Sequence, residues 1–182
     1  MPRKKKKKTI DWLIQNYMPF FEKFGMNEGN IIRHHKSWKE NRPDYVEDYL
    51  WFIFNHLLHE NGHQSEDIIG FYERNEIIYR EMISFRRRIE GKKANEIYKA
   101  YNRNSVELAI ESNADIGVEY DFTIITPSDC EACQHLTNKI ISKKEALEND
   151  TIPYEKCARK QGCVCLLSIM PRRDENGRLI FI

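Results

Sequence analysis

No stretch of this chain is apolar for long enough to cross a lipid bilayer. The longest apolar run, Tyr49–Phe54, falls far short of the ~20 residues that a spanning helix needs. The basic N-terminal residues have no apolar segment behind them, so no secretory signal is expected. Also missing are a glycine-rich phosphate loop, an internal repeat, a Pro/Ser-rich linker, and a Ser or Cys nucleophile with a recognisable base arrangement. Charge of one sign is scarce in bulk. The balance of 29 Lys and Arg against 28 Asp and Glu leaves a formal net charge of +1, so the chain as a whole is not a polycation. Without export the expected compartment is cytoplasmic and reducing, where disulfides do not persist. Five cysteines are an odd number and suit a disulfide framework poorly. They read instead as metal-binding thiolates or free thiols.

The 182 residues, 41% hydrophobic and 31% charged, fit a globular protein with one ordinary domain, or a helical domain with a small appendage. Arg3, Lys4, Lys5, Lys6, Lys7 and Lys8 form an unbroken basic run. Like charges at this density repel and bury nothing, so residues 1–8 are expected to be a disordered tail, with nucleic acid or an anionic surface as the partner it suits.

Four helices are expected next, forming a body over residues 9–115. The first runs from Ile10 through Leu13, Ile14, Tyr17, Phe21 and Phe24, with Thr9 as N-cap and Pro19 bending or ending it early. The second begins near Pro43 and ends at Asn61-Gly62; its apolar residues cover most faces, which suits a central helix. The third takes Ser65 as N-cap and runs to about Glu90. The fourth spans about Lys93 to Ser112, separated from the third by Gly91. A basic cluster, Arg86, Arg87, Arg88, Lys92 and Lys93, closes the third helix and is a candidate phosphate-binding surface.

The pattern changes at Gly117. Val118, Tyr120, Phe122 and Ile124 alternate with polar residues as in a half-buried strand. Ser142 and Glu145 make a capping box for a short helical turn. Cys163–Met170 reads as a further strand, and Asn176-Gly177 as a hairpin turn into a last strand, Arg178–Ile182. Residues 116–182 thus form a small β module, and the fold class is mainly α with a C-terminal β appendage.

The cysteines stand at 130, 133, 157, 163 and 165. A Cys-x-x-Cys turn places two sulfurs on one side of a tight loop, and a second cluster downstream supplies the other ligands of a tetrahedral ion. Cys163 and Cys165, read as strand residues, share one face. The expected set is Cys130, Cys133, Cys163 and either Cys157 or Cys165, around one structural zinc ion per chain. A small module with few apolar residues needs such a staple. His135, two residues past Cys133, is a weaker ligand candidate.

Residues Arg103 to Leu167 resemble the C-terminal part of phage minor head proteins of the Mu F type, the phage head morphogenesis proteins. The resemblance rests on "RNSVELAIESNA", "VEYDFTIITPSDCEAC", "QHLTNK", "IPYEKC" and "GCVCLL", in that order. Where that family carries a His shortly before the Cys-x-Cys, Cys157 stands here. The resemblance implies a phage or prophage-derived, non-enzymatic structural protein. It would act near portal or capsid interior, be virion-associated rather than simply cytoplasmic, and contact assembly proteins and DNA.

Two alternatives differ in class. One is a cellular zinc-ribbon protein that binds nucleic acid. The other is a metallohydrolase, because His59-Glu60-Asn61-Gly62-His63 satisfies the His-Glu-x-x-His pattern, with Glu60 as general base and Glu73 or Glu76 as third ligand. His56 shares the same helical face. That chemistry needs a continuous helix through both histidines, and Asn61-Gly62 predicts a helix end instead.

Overall fold

The computed structural model describes residues 7–42, 45–65, 67–127, 129–148 and 151–182. The fold is mainly helical with a small three-stranded antiparallel sheet near the C-terminus. The chain forms two compact units, residues 1–60 and 61–182.

In the first unit, α1 (Ile10–Glu22) starts where expected, with the Thr9 hydroxyl accepting from the Trp12 amide. Pro19 does not end it. The helix runs on to Glu22 because Phe20 and Phe21 are both buried, and their burial outweighs one lost backbone hydrogen bond. A second helix, α2 (Glu28–Trp38), was not expected; Asn27 caps it through the Asn30 amide, and a 3-10 turn, Lys39–Asn41, follows. The next helix, α3 (Val46–Gln64), is the central element of the sequence reading. Pro43, its expected start, lies outside the described residues. Tyr49, Leu50, Ile53 and Phe54 are almost fully buried, and Phe54 meets Tyr17 and Phe20 edge-on.

Helix α3 does not stop at Gly62. Asn61 is buried in the last turn of the helix, where its amide donates to the Phe71 carbonyl and to Asn75 Oδ1, both at 2.8 Å. A buried asparagine with satisfied hydrogen bonds is a core residue, not a turn residue. Ser65 accordingly closes α3, its hydroxyl donating to Asn61 Oδ1. The cap of α4 (Ile68–Ser84) is Asp67, which accepts from the amides of Ile69 and Gly70.

Helix α4 passes into a π turn, Phe85–Ile89, and Gly91 reverses the chain in the left-handed region, with φ of 69°. Helix α5 (Asn95–Ser112) packs back along α4. The sheet has strand order β2–β1–β3, built from β1 (Tyr120–Ile125), β2 (Ile140–Ile141) and β3 (Leu166–Pro171). Short helices α6 (Glu131–Gln134) and α7 (Lys143–Glu148) lie between β1 and β3. The expected capping box is formed: Glu145 accepts from the Ser142 amide while Ser142 Oγ accepts from the Glu145 amide. Beyond β3 the Asn176-Gly177 turn is present, but it leads to isolated bridges, Arg173 to Leu179 and Val118 to Phe181, rather than a full last strand.

One buried cluster joins Val106 of α5 to Tyr120, Phe122, Ile124, Leu136, Ile141, Ala146, Ile152 and all five cysteines, with Ala109 and Ile110 packed against it. Helices α4 and α5 lie in the same compact unit as the cysteine module. Removing the Asp67 side chain in Asp67→Ala should cost about 1 kcal/mol of stability, the usual worth of a helix N-cap. Chemical denaturation checks this; an unchanged midpoint would mean the cap contributes nothing.

Candidate metal centre

Three separate stretches of chain bring their sulfurs to one buried place. Cys130 and Cys133 flank the first turn of α6, Cys157 ends a turn after Tyr154, and Cys163 and Cys165 lie in the extended segment just before β3. All five are buried. Two triads have all their Sγ atoms within 4.8 Å of one another, Cys130–Cys133–Cys157 and Cys133–Cys163–Cys165, so Cys133 is common to both. Cys130 Sγ lies 3.2 Å from Cys133 Sγ and 3.5 Å from Cys157 Sγ. A tetrahedral zinc at about 2.3 Å from each ligand separates its sulfurs by about 3.8 Å. Movements of a few tenths of an ångström would bring the Cys130–Cys133–Cys157 triad to that spacing, while Cys163 and Cys165 join the cluster only through Cys133. The cluster can hold a metal.

The expected basis for Cys163 and Cys165 needs correction. Strand β3 begins only at Leu166, so the two cysteines do not share a strand face. Instead the Cys165 amide approaches Cys163 Sγ at 3.5 Å, and both side chains are buried. The first knuckle is built similarly. Cys130 is held below the usual thiol range by the neighbouring Cys133 and Cys157 groups and by the amides of Ala158 and Cys133. Hydrogen bonds of this kind favour a thiolate. Burial acts the other way on three others: it pushes Cys133 and Cys157 up and Cys165 up to about 12. Those three need a cation nearby before they ionise.

The loop carrying Cys163 is seated against helix α5. Gly162 has φ of +90°, and a Cβ there would come within 2.5 Å of Asn95 Oδ1, at the start of α5. Arg87, from the π turn, donates from Nη2 to the Cys163 carbonyl at 2.6 Å, and its guanidinium lies over the Tyr98 ring at 5.1 Å.

The remaining candidates fall elsewhere. His135 is exposed and packs edge-on against Tyr154, 4.9 Å between centroids, outside both triads. The continuous α3 does supply the helix that His59 and His63 would need. Among the described residues, however, both clusters able to hold a metal are made of cysteine alone. Glu76, a proposed third ligand, pairs with Arg80 at 2.9 Å and accepts from Ser105.

For the basic residues, Arg3, Lys4, Lys5 and Lys6 lie outside the described residues. Lys7 and Lys8 are not a free tail: Lys7 lies over Tyr45, while Lys8 lies over Trp12 and pairs with Glu47 at 2.7 Å. Of the arginine cluster, Arg86 pairs with Glu90 at 2.6 Å, Arg87 turns inward, and Arg88 is exposed. Sequence reasoning missed the inward role of Arg87, and no signal in three adjacent arginines distinguishes the middle one. No family model, curated protein or solved structure matches the chain. No described helix is long and apolar enough to cross a membrane.

Gly162→Ala should destabilise the protein by about 1 kcal/mol or more, because it adds left-handed strain and a clash with Asn95. Thermal denaturation of the full chain measures it, and a variant as stable as the parent would contradict the seating described.

Proposed function

We propose that the cysteine cluster binds one structural zinc ion and that the protein has a structural or assembly role rather than a catalytic one. The observation that carries this reading is the convergence of five buried sulfurs, from three stretches of chain, on Cys133. Four thiolates close the coordination of zinc and leave no position for water or substrate, so such a site stabilises a fold instead of performing chemistry. Cys130, Cys133 and Cys157 supply three ligands, and Cys163 or Cys165 the fourth. The similarity of residues 103–167 to phage head morphogenesis proteins supports an assembly role in a phage or prophage setting, cytoplasmic during synthesis and virion-associated afterwards. Arg3, Lys4, Lys5 and Lys6, with exposed Arg88, suit contact with DNA in that setting.

Protein purified under reducing conditions should contain one zinc per chain by elemental analysis. Cys133→Ser should abolish retention, since it breaks both triads, whereas His59→Ala should retain the metal fully. Loss in His59→Ala with retention in Cys133→Ser would reverse the assignment in favour of the hydrolase. For the DNA contact, affinity should fall steeply between low and high salt and weaken further on deleting residues 3–8. Binding that ignores salt would rule out the electrostatic role.

A further inference from the structure

The strongest unexplained feature of the second unit is a cation without an anion. The Arg87 guanidinium is half-buried, and its Nε is wholly buried with no hydrogen-bond partner. Among the described residues no carboxylate pairs with it. Its neighbour Arg86 takes Glu90, and the nearby Arg159 takes Asp129. A half-buried charge with no carboxylate partner favours an anion within reach.

The chemistry beside Arg87 supplies that anion under one condition. Four thiolates around a divalent ion leave the centre with net negative charge, carried by the sulfurs. Arg87 already holds the Cys163 carbonyl and so fixes the segment that leads to Cys165. The buried Tyr98 ring lies over one face of the guanidinium. From this arrangement we infer that Arg87 is the counter-charge and positioning residue of the metal centre, locking the Cys163–Cys165 arm in its ligating geometry. The inference rests on the metal reading above. Arg87 does not touch the ion; it acts through Cys163, as outer-sphere partners of metal ligands do.

The test uses the full reduced chain, zinc titrated against a chromophoric chelator, and cobalt as a spectroscopic substitute. Arg87→Gln, which keeps a donor and drops the charge, should weaken zinc binding by about ten- to a hundredfold and alter the sulfur-to-cobalt charge-transfer band. Arg87→Lys should recover most of the affinity, and Arg88→Gln, on the exposed neighbour, should match the parent. Parent-like affinity in Arg87→Gln overturns the inference. So does equal weakening in the Gln and Lys variants, which would indicate packing rather than charge. A second measurement needs no variant: in the parent chain, zinc should shift the Arg87 Nε–H resonance strongly and that of Arg88 little, and equal shifts would also overturn the inference. If the parent chain itself takes up no zinc, the metal reading fails and this inference falls with it, an outcome distinct from failure at Arg87 alone.

Discussion

Sulfur atoms crowded together away from water resist ionisation, and that constraint organises the second half of this protein. Cys133 sits where two triads meet, with every cysteine sulfur of the chain in one or the other. As neutral thiols the five would be ordinary small core residues. As thiolates they would repel one another beyond what burial allows, unless a divalent cation holds them. The chain between them has little else to fix it. Strand β2 is two residues long, α6 four and α7 six, so few ladder hydrogen bonds tie the cysteine-bearing turns to the sheet.

The surroundings of the cluster are consistent with charge on the sulfurs. Backbone amides of Cys133 and Ala158 face Cys130, and the Cys165 amide faces Cys163. Arg87 donates to the carbonyl of Cys163.

Much of this was legible in the residues. The alternation of Tyr120, Phe122 and Ile124 marked β1, Thr9 marked the start of α1, and the Ser142–Glu145 pair marked α7. The cysteines announced themselves by spacing. Other features were hidden for identifiable reasons. Helix α2 is short and polar, with only Ile31 and His35 buried, so it offers almost no periodic signal beyond its Asn27 cap. Pro19 and Asn61-Gly62 look like helix breakers, yet neighbouring Phe20 and Phe21 in one case, and a buried Asn61–Asn75 pair in the other, override local preference. Local propensity is a weak prior against tertiary burial. The separate fates of Arg86, Arg87 and Arg88 depend on the π turn that carries them, and its geometry has no simple sequence mark.

The placement of Val106 in the same buried cluster as the cysteines has a practical side. Helix α5 forms one wall of the sulfur chamber, with Ala109 and Ile110 beside Val106. A recombinant fragment beginning at residue 116, the natural choice for anyone seeking an isolated zinc knuckle, would leave that wall behind and bare Phe122 and Ile124 to solvent. Severing at Glu60 instead keeps chamber and wall on one polypeptide.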